Sequence, residues 1–123
     1  MIDIHSHILP GIDDGAVDLE ESLAMARIAA ARGTTILFAT PHVSTHEEMV
    51  RSGEIAARVA MLQQAIEQAG ILLRLAPGAE VYPMDGIVQA LRDGAPLTLA
   101  GSRYLLLDSP LHAIPLGLGQ LVF

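Results

Sequence analysis

The order of the apolar segments is the feature that most constrains the fold of this chain. Short β-rich runs alternate with longer segments in which apolar residues recur every three or four positions. The strand-like runs are 1–4, 35–39, 71–76 and 104–107, and the helix-like segments are 19–32, 46–69 and 85–93. This alternation is typical of βα units around a parallel sheet. We therefore predict an α/β fold of parallel strands with intervening helices.

Local signals refine the predicted element boundaries. Asp18 and Thr45 are each followed three residues later by Glu, which predicts a capping box at the start of the first and second helices. Gly53 is a weak point within the long second helix because glycine lowers helix stability. The short run at 97–99 is predicted to pair locally with a nearby strand.

Length and hydropathy indicate one domain with a substantial core. The chain has 123 residues, 51% of them hydrophobic, and its mean hydropathy is +0.44. No run approaches the roughly 18 uninterrupted apolar residues of a membrane-spanning helix. The N-terminus turns acidic at Asp3, unlike a secretory signal, so a cytoplasmic location is expected. Residues 116–123 are apolar and carry no closing strand, which suggests that the sequence ends in mid-domain.

Charge and cysteine content exclude several function classes. Seven arginines and no lysines face fourteen acidic residues, for a net charge of −7. This balance disfavours nucleic acid as a partner. The chain contains no cysteine, and so it has neither a disulfide framework, a thiolate metal site nor a thiol nucleophile. Any hydrolysis would use metal-activated water or an oxygen nucleophile.

Polar side chains follow the end of each predicted strand. His5 and His7 come after the first strand, His42 after the second, Glu80 after the third and Asp108 after the fourth. The carboxyl ends of parallel strands meet at one rim, where α/β proteins collect ligands and catalytic groups. Imidazole and carboxylate donors suit zinc, manganese or iron. The spacing therefore predicts a divalent metal site with these five residues as ligands.

Each of these residues also has a purely structural interpretation. The histidines could be loop residues that bond to carbonyl groups, and the acids could be exposed to water. Asp13 and Asp14 could be metal ligands, orient the metal-binding histidines, or simply form the loop before the first helix. His46, beside a predicted helix start, and His112, in a proline-bounded loop, are expected to be solvated. The sequence does not identify a separate catalytic residue.

Four motifs together resemble a known family. HSHILPGIDDG at 5–15, ATPH at 39–42, GAE at 78–80 and LLLDSP at 105–110 are similar to the PHP-type metal-dependent protein-tyrosine phosphatases of bacterial capsule and exopolysaccharide operons. The resemblance implies a distorted (β/α)7 barrel with three divalent ions at its C-terminal rim. It also implies that residues 1–123 form the N-terminal half of such a domain.

The resemblance assigns roles to individual residues. It places His5, His7, His42 and Glu80 on metal-ligand positions, and Asp108 where the family usually has glutamate. Val43 departs from the pattern, since a second histidine commonly follows there. The family's later His-rich and Asp-x-His motifs, and an arginine near the substrate phosphate, are expected beyond position 123.

The same resemblance implies a function and its partners. The expected reaction is hydrolysis of phosphotyrosine on a tyrosine autokinase that controls polysaccharide export, with manganese as the first choice of metal and iron or zinc as alternatives. A homo-oligomer or a complementing C-terminal half would cover the open sheet edge. Two rival functions stay open: an inactive remnant that binds at most one ion, and a PHP phosphatase of a small ester such as histidinol phosphate.

Overall fold

The computed structural model describes residues 1–109. Within that range the chain forms an α/β fold of six short parallel strands, four α-helices and two 3-10 turns. The predicted α/β class is confirmed. In chain order the elements are β1 Ile2–Asp3, α1 Leu19–Ala31, β2 Ile36–Ala39, β3 His42–Val43, α2 His46–Arg51, α3 Ile55–Gln68, β4 Arg74–Pro77, β5 Glu80–Val81, α4 Ile87–Arg92 and β6 Leu106–Leu107.

The strands form two sheets of three strands each. The first has the order β1-β2-β4 and the second the order β3-β5-β6. The chain passes from the first sheet to the second twice, from β2 to β3 and from β4 to β5. In the second sheet, His42 pairs in register with Glu80, and Glu80 pairs with Leu106. The register therefore brings two predicted metal ligands side by side.

Both passages between the sheets depend on special residues. Proline has no backbone N–H for a sheet ladder, so Pro41 ends the pairing of β2 before β3 begins. Gly78 lies in the connection from β4 to β5. A Cβ there would lie 2.8 Å from Leu99 Cδ2 and 3.2 Å from Thr40 Cγ2. The sequence predicts strand ends at both Pro41 and Gly78. The two-residue strands that follow them were not predicted.

The first two predicted helices start where the sequence indicates. The Asp18 side chain accepts a hydrogen bond from the Glu21 N–H, and Thr45 and Glu48 form a complete capping box. The predicted second helix is interrupted at Gly53 by the 3-10 turn Ser52–Glu54, which separates α2 from α3. The predicted weak point is confirmed.

One core joins α3 and the first sheet to Val43 and Val81 of the second sheet and Ile87 of α4. Ile55, Val59, Leu62 and Ile66 face inward at helical spacing and are buried. Burying a side chain of this size contributes about 1.5–3 kcal/mol. The Gln63 amide joins helix and sheet edge, because its Oε1 accepts from the Leu75 N–H at 2.7 Å and its Nε2 donates to the Leu73 carbonyl at 3.2 Å.

Three local predictions need correction. The third strand begins at Arg74 rather than at position 71, and the strand predicted at 104–107 is reduced to Leu106–Leu107. Residues 97–99 form no strand; a 3-10 turn, Leu99–Gly101, starts there. The predictions for His112 and 116–123 lie outside the described residues. None of the helices within 1–109 combines the length and apolar character of a membrane-spanning helix.

Candidate metal centre

Backbone and side-chain anchors aim the first two histidines at the rim. Ser6, which lies between them, is tied to the end of β2: its Oγ donates to the Phe38 carbonyl at 2.6 Å, and its N–H donates to Thr40 Oγ1 at 3.1 Å. The Thr40 N–H donates back to the Ser6 carbonyl at 2.8 Å. Because Ser6 is fixed toward β2, His5 and His7 on either side of it are free to share the opposite side. No pattern in the sequence predicts this anchor.

His42 and Glu80 come from the second sheet. They are the first residues of β3 and β5 and are paired in register, so their side chains lie on one face. The His42 Nδ1 atom lies 3.1 Å from Glu80 Oε2. The segment after β1 thus places His5 and His7 around the same point as His42 and Glu80 of the second sheet.

The Glu80 carboxylate is the centre of the cluster. Its residue is only 8% exposed. His5 Nε2 lies 3.3 Å from Glu80 Oε1, and His7 Nε2 lies 3.3 Å from Oε2. The two Nε2 atoms are 3.1 Å apart. Three imidazole rings therefore surround one buried carboxylate.

The donor spacing fits a divalent cation. Two atoms that each lie about 2.1 Å from one ion stand about 3.0 Å apart at a right angle and about 3.4 Å apart at the tetrahedral angle. The separations between the Glu80 oxygens and the three histidine nitrogens are 3.1 to 3.3 Å. His5, His7 and Glu80 form one group of donors whose ligand atoms all lie within 4.8 Å of one another.

Two buried atoms of the cluster have unmet bonding capacity. Among residues 1–109, neither His42 Nδ1 nor Glu80 Oε2 makes a hydrogen bond. They lie 3.1 Å apart without forming a hydrogen bond. A buried carboxylate oxygen without a partner costs free energy unless a cation or a proton satisfies it. This observation supports a metal ion at the cluster.

Asp13 fixes the orientation of His7. Its Oδ2 accepts from His7 Nδ1 at 2.8 Å and from the His42 N–H at 3.2 Å, and its Oδ1 accepts from the Gly15 N–H at 3.0 Å. Because an ionised carboxylate only accepts, His7 donates from Nδ1, and its Nε2 atom is left facing Glu80. Carboxylates orient metal-binding histidines in this way.

The charge of Asp13 is held by the same contacts. Burial by itself would raise the pKa of the Asp13 carboxyl, but its hydrogen bonds from the His7 ring and from the N–H groups of Gly15 and His42 outweigh burial. The pKa therefore lies below its ordinary value, and the carboxylate stays ionised at neutral pH. The Asp13 side chain is only 6% exposed.

Asp14, unlike Asp13, is exposed to solvent. Its side chain is 80% exposed, and its Oδ1 lies 3.4 Å from His42 Nε2 and 3.8 Å from His7 Nδ1. His7, Asp14 and His42 form a second group of possible donors. His7 belongs to both groups, and its contact with Asp14 is through Nδ1, the nitrogen that already donates to Asp13. The group around Glu80 is the better-formed site.

A tight loop carries both aspartates. The Ala16 N–H donates to the His7 carbonyl at 3.0 Å, and the Gly11 N–H donates to the Ala16 carbonyl at 2.8 Å. A Cβ on Gly15 would lie 2.1 Å from the His7 carbonyl oxygen and 2.3 Å from His7 Cβ. Only glycine fits there, so Gly15 lets the loop close on the segment that carries His7.

Two other predicted residues lie apart from these groups. Asp108 directly follows β6, and its N–H donates to the Val81 carbonyl at 2.9 Å. Its carboxylate belongs to neither donor group within residues 1–109, and its role as a ligand stays a prediction. His46 is the exposed first residue of α2 and is likewise outside both groups. Four of the five predicted ligands are therefore brought together.

Comparison with known proteins connects this arrangement to a family. The family model for capsular polysaccharide synthesis, CpsB/CapC, matches residues 1–113. Tyrosine-protein phosphatase YwqE of Bacillus subtilis is 36% identical over 126 residues, a match that covers 100% of this chain and 48% of the relative. Tyrosine-protein phosphatase CpsB of Streptococcus pneumoniae is 30% identical, and the match covers 46% of that relative.

A solved structure shares the fold. It comes from crystal structures of YwqE from Bacillus subtilis and CpsB from Streptococcus pneumoniae, described as unique metal-dependent tyrosine phosphatases. The match has a TM-score of 0.90 at 33% identity and covers 98% of this chain and 49% of the other. The chain thus spans about half the length of the curated relatives it matches. On the family match and this structural agreement, the chain belongs to the CpsB/CapC family of capsular polysaccharide synthesis.

Proposed function

We propose that this chain supplies the metal-binding rim of a metal-dependent protein-tyrosine phosphatase that acts in capsule or exopolysaccharide synthesis. The observation that carries the proposal is the buried Glu80 carboxylate, which has three imidazole nitrogens within 3.3 Å and an oxygen without a hydrogen bond among residues 1–109. Relatives named as tyrosine-protein phosphatases support the reaction class. Residues 1–123 are, on this proposal, part of a single PHP-type domain.

The residues divide the work as follows. His5, His7, His42 and Glu80 hold a divalent cation, and Asp108 is a further ligand on the same rim. A bound cation supplies Lewis acidity that polarises the phosphoryl oxygens and lowers the pKa of water. Asp13 keeps the proton of His7 on Nδ1 and the Nε2 lone pair directed at the site.

Manganese is the proposed metal. Carboxylate oxygens suit manganese, while imidazole nitrogens also suit zinc and iron, so zinc and iron are the competing choices. The chain has no cysteine, and so a phosphatase mechanism through a cysteinyl phosphate is not available to it. Metal-assisted attack of water on phosphorus fits the residues that are present.

The proposed substrate is a phosphotyrosine segment of a tyrosine autokinase in the cytoplasm. The net charge of −7 argues against nucleic acid as a partner. A complementing C-terminal half, or a second copy of the chain, would add donors to the rim. The match to about half the length of the relatives supports this part of the proposal.

Metal analysis and a phosphatase assay test the proposal on the same preparation. The purified chain is loaded with Mn²⁺, its metal content is measured by plasma mass spectrometry, and p-nitrophenyl phosphate hydrolysis is followed. We expect bound manganese and chelator-sensitive hydrolysis, both lost in His5→Ala. His46→Ala is the matched control, because His46 is exposed and outside both donor groups. Hydrolysis that a chelator leaves unchanged would refute the proposal.

A second candidate is a metal-binding remnant without turnover. The half-length coverage of the relatives favours it. Manganese bound through His5 without measurable hydrolysis, under conditions in which a full-length relative is active, would select this candidate. Faster turnover of histidinol phosphate than of a phosphotyrosine peptide would instead select the small-ester phosphatase.

A further inference from the structure

A cavity of about 170 Å³ opens beside the metal centre. His42, one of the donors around Glu80, forms part of its wall. The rest of the wall comes from the loop before α1, from Pro41 and Val43 on either side of His42, and from the region where α2 passes into α3. The charged residues along it are Glu48, Arg51, Glu54 and Arg58. A molecule bound at the metal centre therefore has a charged cavity directly next to it.

Two arginines in this wall share one carboxylate. Arg51 donates from Nε and Nη2 to Glu54 at 3.4 Å, and Arg58 Nη2 lies 3.6 Å from Glu54 Oε2. These three residues together carry one net positive charge, and with Glu48 the four charged residues of the wall sum to zero. The side chains of Arg51, Glu54 and Arg58 are between 36% and 56% exposed. The wall is therefore neutral overall and offers two guanidinium groups to an anion, in a chain whose net charge is −7.

The fourth charged residue of the wall, Glu48, accepts hydrogen bonds from the backbone. Glu48 Oε2 accepts hydrogen bonds from the Ser44 N–H at 2.6 Å and the Thr45 N–H at 3.0 Å. Its charge therefore stabilises the start of α2. Each guanidinium has five N–H donors, and of these only Nε and Nη2 of Arg51 donate hydrogen bonds within residues 1–109, both to Glu54, so most donors of Arg51 and Arg58 can meet an incoming anion.

We infer that this cavity binds an acidic side chain of the substrate next to its phosphotyrosine, with Arg51 and Arg58 donating to the carboxylate. The inference rests on the proposed function, because it takes the phosphate to lie at the metal centre. His42 belongs to both sites, and so a peptide bound with its phosphate there brings the neighbouring residues to the arginines. Glu54 is then an internal competitor that the substrate carboxylate displaces.

Peptide binding measured by fluorescence anisotropy tests the inference without requiring turnover. Two labelled phosphotyrosine peptides are compared on the manganese-loaded chain, one with Glu and one with Gln on both sides of the phosphotyrosine. We expect the chain to prefer the Glu peptide about fivefold, the size that two partly exposed ion pairs contribute. Arg51→Gln combined with Arg58→Gln is expected to remove this preference.

Two further variants make the test specific. Glu54→Gln removes the competing carboxylate, and we expect it to increase the preference for the Glu peptide, a gain that misfolding cannot produce. Arg27→Gln with Arg32→Gln removes the same total charge from exposed positions of α1 and its C-terminus. This control is expected to keep the preference.

The outcomes separate the two proposals. Equal binding of both peptides by the parent chain overturns the inference, as does an unchanged preference in the Arg51/Arg58 double variant or an equal loss in the Arg27/Arg32 control. In each of these cases, manganese-dependent binding of the phosphopeptides leaves the proposed function standing. If the manganese-loaded chain binds neither peptide, the proposed function and the inference both fail.

Discussion

Replacing Asp13 by Asn tests the role of the buried carboxylate while keeping its shape. Asp13 accepts three hydrogen bonds, from His7 Nδ1 and the His42 N–H on Oδ2 and from the Gly15 N–H on Oδ1. Asparagine has one oxygen and one NH₂ group. If its oxygen faces His7 and His42, its NH₂ group faces the Gly15 N–H, and two donors oppose each other.

The structure sets the size of the expected effect. One buried N–H that loses its acceptor costs about 1–3 kcal/mol of unfolding free energy. Loss of the carboxylate that orients a metal-binding histidine reduces metal affinity by about 10- to 100-fold. We therefore expect Asp13→Asn to be folded but less stable, and to bind manganese about 10- to 100-fold more weakly than the parent chain.

Titration calorimetry with Mn²⁺ gives the affinity, and thermal unfolding without metal gives the stability. Asp85→Asn is the matched control, since Asp85 is an exposed residue outside both donor groups and makes the same change of charge. A folded Asp13→Asn variant that binds manganese as tightly as the parent would show that Asp13 does not orient His7, and the reasoning would be wrong.

Three further predictions concern the loop, a helix start and the metal. Gly15→Ala is expected to cost about 3 kcal/mol in urea unfolding, because its Cβ would collide with His7; Gly53→Ala, whose Cβ would have nothing within 4 Å, should instead stabilise the fold by about 0.5 kcal/mol. Thr45→Ala should lower the unfolding free energy by about 1 kcal/mol through loss of its capping box, and an unchanged urea midpoint would contradict this. Manganese at a hundred times its Kd should stabilise the chain by about 2.7 kcal/mol in thermal unfolding, and His42→Ala should abolish most of that gain; equal stabilisation of both would remove His42 from the site.

The positions of the candidate metal ligands were predicted from the ends of the strands. Apolar runs ended by His5, Pro41 or Gly78 were readable from the sequence, and parallel strands bring their ends to one rim. Hence His7, His42 and Glu80 could be predicted as neighbours. Asp108 was predicted by the same reasoning, but it lies two residues beyond the register partner of Glu80, and its carboxylate is in neither donor group of residues 1–109.

Other features could not be predicted, because they depend on very short elements. Strands β3 and β5 have two residues each, too few to show any periodicity. The adjacent carboxylates of Asp13 and Asp14 are equivalent in sequence. The turn of the loop, closed by Gly15 against His7, is what buries one and exposes the other.

The sequence by itself determined the α/β class, the chemical types of the donors and their order along the chain, since these follow from apolar periodicity and from residue identity. The tertiary structure alone decided that the sheet divides in two, that Glu80 lies at the centre of three imidazoles, and that two arginines line a cavity next to His42. The physical reason is that distances between side chains from different strands depend on register and on the path of the connecting loops, and neither is encoded in a local pattern.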